Sequence, residues 1–177
     1  MSNEKFWNQK TEPMRAFRWW MRIGSDANGI ESYTIKTVKK PSFAISETQH
    51  QYVAHTFYYP GRITWNPVDI TFVDPVDPST SKNLKAMLAG AGYKSPTTEE
   101  AAKKSFSKKT FGDTIGEVTI HQIDTEGNDI TGGQWSLINP FITSADFGQL
   151  DYSSEDLVVN SITLRYDYAI MDGAEWT

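Results

Sequence analysis

The order of apolar and polar residues predicts a chain built mainly from β-strands. In the run at about 14–23, Phe17, Trp19, Met21 and Ile23 share one face and alternate with residues on the other face. This repeat of two residues is typical of a strand with one buried face. Similar runs predict further strands at about 30–38, 51–59, 62–73, 115–123, 133–138 and 157–170, with residues 42–50 as a loop or an irregular strand.

Turn-forming residues separate these runs. Asn28-Gly29 supplies the positive φ of a tight hairpin, and Tyr59-Pro60-Gly61 predicts a turn between the third and fourth strands. Within 62–73 the apolar phase shifts by one residue at Asn66-Pro67, which is the pattern of a β-bulge that tolerates proline. Residues 124–129 predict a further hairpin turn, because their glycine does not have the position that a calcium-binding loop requires.

One segment, at about 80–90, has the apolar spacing of an α-helix. Asp77 is interpreted as part of its start, and glycines at its end supply the stop. Its apolar residues recur at intervals of three and four, which places them in one stripe along the helix. The stripe residues are Leu84, Met87, Leu88 and Ala91.

A second, shorter helix is predicted at 98–104, where Thr97 and Glu100 have the spacing of a capping box. It has few apolar residues to bury, so we expect the basic segment 93–114 to be a mobile loop or helical insertion. We find no internal repeat and no low-complexity linker, so the whole chain, 1–177, is predicted to be one domain.

The N-terminal arm, residues 1–12, is polar except for Phe6 and Trp7. Exposed aromatic side chains on a polar arm are typical of an interface. The alternative is that they fold back onto the core of their own chain. If they reach a neighbouring copy, deleting residues 2–10 should impair association and leave the subunit folded.

Composition excludes several kinds of chemistry. The chain has no cysteine, which excludes disulfides, thiolate metal sites and cysteine nucleophiles. No apolar run reaches membrane-spanning length, and the first residues lack the apolar segment of a signal peptide, so we expect a cytoplasmic product without membrane insertion.

Charge is distributed unevenly along the chain. The net charge is -5 overall, but residues 81–112 carry seven lysines and two glutamates, whereas residues 113–177 carry twelve acids and one arginine. The acidic part is a solubilising surface, a surface that repels nucleic acid, or a surface that meets the basic segment of another copy. The lysines of 82–109 are better suited to a salt-bridge surface between subunits, or to simple solvation, than to nucleic-acid binding, because the protein is acidic overall.

We find no catalytic constellation and no metal or cofactor motif, so we expect a protein that is not an enzyme and holds no cofactor. His50 and His55 are five residues apart, which on one strand places them on opposite faces. Asp74 and Asp77 form a possible carboxylate pair, but Asp77 is better explained by the helix start.

Four stretches of the sequence together resemble the T4-like tail tube proteins of contractile-tailed bacteriophages, a fold related to the tubes of type VI secretion. The resemblance covers most of the chain. The stretches are Glu12 to Trp19, Lys39 to Ser42, Tyr59 to Phe72, and a C-terminal series formed by 118–123, 135–140, 148–153 and 157–168.

The resemblance implies a mainly β subunit: an antiparallel β-sandwich or barrel with one flanking α-helix, assembling into hexameric rings. The rings would stack into a virion tail tube, assembled in the host cytoplasm, through which genomic DNA passes without specific binding. Expected partners are other copies of the chain, the tail sheath protein, and baseplate and tail-terminator proteins. The interface candidates are Phe6, Trp7, Ser46, Glu47, Tyr58 and Tyr59, and the candidates for an acidic lumen are Glu117, Asp124, Asp151 and Asp167.

Two alternative hypotheses stay open. The same fold would suit a ring protein at another position in the tail, such as a baseplate tube initiator or a tail terminator. Six tryptophans and eight tyrosines would also suit a carbohydrate-binding β-sandwich, in which aromatic rings stack on sugars. A tube subunit should form rings or tubes at high concentration, whereas a lectin should stay small and bind glycans.

Overall fold

The computed structural model describes residues 12–24, 29–77, 79–174 and 176. Within these ranges the chain forms ten β-strands, three α-helices and a short 3-10 helix at Ser32–Thr34. The strands are β1 Trp19–Ile23, β2 Ile35–Val38, β3 Phe43–Tyr52, β4 His55–Trp65, β5 Val68–Val73, β6 Val118–Ile123, β7 Asp129–Ile138, β8 Phe141–Asp146, β9 Val159–Arg165 and β10 Tyr168–Met171. The helices are α1 Thr80–Gly90, α2 Glu99–Ala102 and α3 Lys108–Ile115.

The strands form two four-stranded antiparallel sheets and a separate hairpin. The first sheet has the order β1-β6-β7-β10, and the second has the order β2-β5-β9-β8. Strands β3 and β4 pair with each other. The predicted class, mainly β with antiparallel sheets, is confirmed.

One hydrophobic core lies between the two sheets and the helices. Alternate residues of several sheet strands point into it, because successive side chains of a strand lie on opposite faces. In β5, for example, Val68, Ile70 and Phe72 are fully buried. The first sheet contributes Met21, Ile23, Val118, Ile120, Leu137 and Ala169, and the second contributes Ile35, Ile162 and Leu164 to the same cluster.

The helix predicted at 80–90 is confirmed with its stripe. Leu84, Met87 and Ala91 are buried, and Leu88 packs against the core. The N-cap is Ser79, whose side chain accepts a hydrogen bond from the Lys82 backbone amide.

The first turn of α1 is held by Asp74, and the assignment of Asp77 to the helix start is wrong. The Asp74 carboxylate accepts hydrogen bonds from the Thr80 hydroxyl at 2.8 Å, from the Ser81 backbone amide at 3.2 Å and from the Ser81 hydroxyl. Asp77 lies exposed before the cap.

The segment 93–114 contains more regular structure than its sequence predicts. Helix α2 is short and begins at a Thr98 cap rather than at Thr97. Helix α3 is not predicted by the sequence pattern, yet it buries Phe111 and Ile115 in the core. A ring contact at 5.0 Å between Phe106 and Phe111 ties the preceding loop to this helix.

Two predicted long strands are each divided in the structure. The phase shift at Asn66-Pro67 is the point where β4 ends and β5 begins, rather than a bulge within one strand. The run 157–170 is β9 and β10, which belong to different sheets. Its alternation continues because each strand buries one face against the shared core.

Candidate assembly interface

The β3–β4 hairpin stands outside the two sheets and packs little against them. Every residue of β3 is exposed, and so is every residue of β4 except Trp65, which is half-buried. The hairpin continues the β2–β5 pair: the Lys39 amide donates to the Asp69 carbonyl at 3.1 Å, and the Asn66 amide donates to the Ser42 carbonyl at 2.8 Å. Two long strands therefore leave the sandwich together and extend into solvent.

One face of the outer half of this hairpin is strongly aromatic. The register pairs Thr48 with Tyr59, His50 with Phe57 and Tyr52 with His55, so these six side chains share a face. The expectation that His50 and His55 lie on opposite faces is wrong, because the chain turns between them.

The predicted interface residues of this region all lie on the hairpin. Glu47 pairs with Pro60, and Tyr58 pairs with Gln49 on the face opposite Tyr59. The two tyrosines are about equally exposed, so the hairpin presents aromatic rings on both sides. Exposed aromatic side chains grouped on one surface are typical of surfaces that a second protein covers.

Ser46 lies at a register shift between the two strands. Its hydroxyl accepts a hydrogen bond from the Arg62 backbone amide at 2.9 Å, which fixes the irregular pairing. Gly61, predicted to be part of a turn, is instead within β4 beside Ser46. The turn is formed by Val53 and Ala54, and Val53 has a φ of 54°, which a β-branched residue rarely adopts.

An aromatic cluster joins the base of the hairpin to both sheets. Trp65 contacts Phe43, Tyr166 and Trp176, with ring centroids 5.2, 5.9 and 6.5 Å apart. Trp176 also contacts Trp135 of β7 and donates from Nε1 to the Ala169 carbonyl at 2.8 Å. The C-terminal segment therefore links the hairpin base to the first sheet.

Within the described part of the chain, several strands have an open edge. Strands β1 and β10 are the edges of the first sheet, and β2 and β8 are the edges of the second. Each strand of the hairpin also has one unpaired side. Open edges carry free backbone donors and acceptors, and these groups favour pairing with another chain.

The four lumen candidates lie in connections between strands and helices. Glu117 precedes β6 and Asp124 follows it, while Asp151 lies before β9 and Asp167 follows it. A strand therefore separates the members of each pair. Whether they face a common channel in an assembly remains a proposal.

Three of these acids also accept hydrogen bonds from neighbouring groups. The backbone amides of Asn128 and Glu126 donate to Asp124 and lower its pKa, and the backbone and hydroxyl of Ser153 lower the pKa of Asp151. The side chains of Lys108 and Asn139 donate to Asp167 and lower its pKa. The three carboxylates are thereby held in the charged form. The hydrogen bonds of Asp124 agree with the predicted hairpin turn at 124–129.

A partly buried polar cluster in the first sheet is not predicted by the sequence pattern. The two ring nitrogens of His121 each form a hydrogen bond of 3.0 Å, Nδ1 with the Asp129 carboxylate and Nε2 with the Thr119 hydroxyl. The Trp20 ring stacks on the imidazole with ring centroids 3.8 Å apart. Trp20 also donates from Nε1 to Asp129 at 3.1 Å. Thr, His and Asp are the residue types of a catalytic triad, but Thr119 is buried and Trp20 covers the imidazole. The cluster instead fastens β1 to β6 and β7.

Phe6 and Trp7 lie outside the described residues. Among the residues that are described, no group of three or more histidine, aspartate or glutamate side chains is placed to share a metal ion. The described helices also include none that is both long enough and apolar enough to cross a membrane.

A scan against protein-family models found no match, and a search of curated proteins found none either. The search of solved structures found chains from contractile injection systems. A chain of the PVC sheath/tube terminator, from an extracellular contractile injection system in the extended state, has a TM-score of 0.67 at 17% identity, covering 93% of this chain and 99% of that chain.

Two further structures agree with this match. A chain of the PVC sheath-tube complex has a TM-score of 0.61 at 20% identity, covering 92% of this chain and 93% of that chain. A chain of the anti-feeding prophage (AFP) baseplate has a TM-score of 0.64 at 14% identity, covering 92% of this chain and 97% of that chain. The chain therefore has the fold of these contractile injection system chains, as its resemblance to tail tube proteins predicts.

Proposed function

We propose that this chain is a structural subunit of the tail tube of a contractile-tailed bacteriophage. The observation that carries the proposal is the β3–β4 hairpin, which extends from the sandwich with its aromatic side chains exposed and its edges open. The fold shared with chains of contractile injection systems supports it.

Ring formation would satisfy the groups that the single subunit leaves open. A hairpin inserted beside an edge strand of the next copy adds backbone hydrogen bonds and covers aromatic side chains. Because the hairpin and the edge it meets are different surfaces, the contact is head-to-tail, and such a contact closes into a ring when its rotation fits. Six copies are the number that the resemblance implies.

The stacked rings would enclose a channel for genomic DNA. An acidic lining repels phosphate, so DNA slides rather than binds. Glu117, Asp124, Asp151 and Asp167 are the candidates for this lining. A reconstruction with a channel lined mainly by lysine and arginine would contradict this part of the proposal.

The proposed partners follow from a tube within a tail. They are further copies of this chain, the tail sheath protein around the tube, and baseplate and terminator proteins at its ends. Assembly would take place in the host cytoplasm, and the mature location would be the virion tail.

The main alternative to a tube subunit is a ring protein at one end of the tube. Chains with this fold occur in a sheath/tube terminator and in a baseplate as well as in a sheath-tube complex. A terminator or an initiator should stop at one or two rings when purified alone, whereas a tube subunit should continue to stack. The length of the particles therefore separates the two.

The hairpin face provides a direct test. Phe57 and Tyr59 share the aromatic face and are 50% and 57% exposed, so replacing both with serine removes apolar contact area without opening the core. We expect the concentration needed for ring formation to rise at least about tenfold, since each buried aromatic side chain contributes roughly 1.5–3 kcal/mol. Sedimentation velocity measures this, and negative-stain electron microscopy identifies the particles.

Tyr33 is the matched control, because it is 73% exposed and lies in the 3-10 helix, away from the hairpin. Tyr33→Ser should assemble like the wild-type protein. Equal assembly of the wild-type protein and the Phe57→Ser, Tyr59→Ser variant would contradict the proposed role of the hairpin.

A further inference from the structure

The connection between β8 and β9, residues 147–158, is an acidic loop with exposed apolar side chains. It carries Asp151, Glu155 and Asp156 and no basic residue. Leu150 and Leu157 are 82% and 72% exposed. Turns closed by hydrogen bonds between Asp151 and Ser153 and between Asp156 and Ser154 hold its shape. The acidic loop therefore presents apolar groups surrounded by negative charge.

The segment 94–109 is its opposite in charge. It carries five lysines and two glutamates. Glu99 is paired with Lys103 at 2.6 Å, while Lys104 and Lys109 are exposed. Beside them, the rings of Tyr93 and Phe106 stack at 6.0 Å and are about half exposed. We call the segment 94–109 with Tyr93 the basic end.

The two surfaces lie at opposite ends of the second sheet. At one end, the first residue of β8, Phe141, contacts Phe111 of α3 with ring centroids 6.1 Å apart. At the other end, β8 finishes at Asp146 and enters the acidic loop. A strand rises by about 3.3 Å per residue, so β8 separates the two ends by roughly 17 Å.

Helix α1 gives the same arrangement independently. Its first turn is bound to Asp74, whose backbone amide donates to the Val158 carbonyl at the border of the acidic loop. Just beyond its C-terminal end, the Ala91 carbonyl accepts a hydrogen bond from the Thr110 hydroxyl of α3 at 2.7 Å, beside the basic end. The acidic loop and the basic end therefore lie at opposite ends of α1.

We propose that the acidic loop of one copy docks on the basic end of a second copy, and that this contact joins successive rings of the tube. Contact between like ends would bring like charges together, whereas contact between unlike ends pairs them around the apolar groups. A contact between two different surfaces continues from copy to copy, so it builds a stack with one polarity. The inference rests on the proposed tube function.

Cross-linking tests the pairing of ends. The chain has no cysteine, so single cysteines can be placed at will. Tyr152→Cys marks the acidic loop and Lys104→Cys marks the basic end, and both positions are exposed. The two full-length variants, one with an affinity tag that changes its size, are mixed and treated with a short bis-maleimide.

We expect the mixed dimer to form and each variant alone to remain uncross-linked. Dimers of either variant alone, or no cross-linked product, would overturn the proposal. Stacked rings without the mixed dimer would overturn this contact and leave the tube function intact. The mixed dimer in open filaments without rings would instead contradict the tube function.

Charge reversal gives a second test. We expect Glu155→Lys, or Lys104→Glu, to shorten stacks and raise the concentration needed for stacking severalfold, because like charges then face each other. Glu155 is chosen because Asp151 and Asp156 hold the turns of the acidic loop. Combining both substitutions in one chain should restore stacking. Failure of the combined variant to recover, with rings still formed, would contradict the charge pairing.

Discussion

The Ser46 hydroxyl faces the backbone of Gly61 across the β3–β4 hairpin so closely that a side chain at position 61 would collide with it. The same hydroxyl accepts a hydrogen bond from the Arg62 backbone amide. The irregular register of the hairpin therefore depends on a small residue opposite a hydroxyl. This relationship lies outside the core, so it affects the hairpin without affecting the fold.

The first prediction concerns Gly61→Ala. The added methyl group forces Ser46 to move, breaks its hydrogen bond and disturbs the hairpin register. We expect assembly to weaken at least about tenfold while the free energy of unfolding changes by under about 1 kcal/mol, as for surface substitutions away from the core. Sedimentation velocity and urea denaturation measure the two effects.

The variant Ser46→Ala is the control for this prediction. It removes the hydrogen bond to the Arg62 amide but adds no methyl group opposite the Ser46 backbone, so its assembly should weaken less than that of Gly61→Ala. Normal assembly of the single Gly61→Ala variant would show that the register at this position does not matter.

The second prediction concerns Trp176. Replacing it with alanine removes ring contacts to Trp65 and Trp135 and the hydrogen bond to the Ala169 carbonyl. We expect a loss of about 2 kcal/mol in the free energy of unfolding, because two aromatic contacts and one hydrogen bond contribute about this much. Trp176→Phe should lose about half as much. Urea denaturation below the concentration of assembly measures both, and an unchanged Trp176→Ala variant would contradict the role of this cluster.

The third prediction concerns Asp74 at the start of α1. Burial alone would raise the pKa of this carboxyl group, but hydrogen bonds from Ser81 and Thr80 outweigh burial and hold the pKa well below its usual range. We expect Asp74→Asn to cost about 2 kcal/mol at neutral pH, since hydrogen bonds to a charged group contribute more than neutral ones. Asp77→Asn, at an exposed position, should change stability little.

The lowered pKa of Asp74 also fixes the direction of its pH dependence. A carboxyl group with a depressed folded-state pKa contributes stability above its unfolded pKa, and this contribution is lost as the pH falls through the folded pKa. The difference between the wild-type protein and Asp74→Asn should therefore be constant above pH of about 5 and shrink below pH of about 4. A difference that grows on acidification would contradict the assignment.

The fourth prediction concerns the N-terminal arm. Phe6 and Trp7 lie outside the described residues, so their place in an assembly is a proposal based on the sequence. Deleting residues 2–10 should impair stacking and leave the circular dichroism spectrum of the subunit unchanged. Unaltered polymerisation would show that the arm does not contribute.

The sequence predicts those elements whose own residues carry a clear period. The helix at 80–90 is correct because Leu84, Met87 and Ala91 have helical spacing and all face the core. Helix α3 is missed because its apolar residues, Phe111 and Ile115, are few, and its burial depends on contacts with distant strands such as that of Phe111 with Phe141.

The hairpin shows why part of the candidate site could not be predicted. Its turn has no glycine or asparagine and instead places Val53 at positive φ, whereas Pro60 and Gly61, which favour turns, lie within a strand. Tyr58 and Tyr59 are exposed, and their role in an interface stays a prediction. The shared face of His50, Phe57 and Tyr59 depends on a register that only the paired strands define.

We propose that this chain completes its open strand edges with other copies of itself around a hollow axis. Electron microscopy of the purified wild-type protein at high concentration shows whether it does so. We expect closed rings with a central hole that stack end to end into tubes. Dispersed single subunits across the same range of concentrations would contradict it.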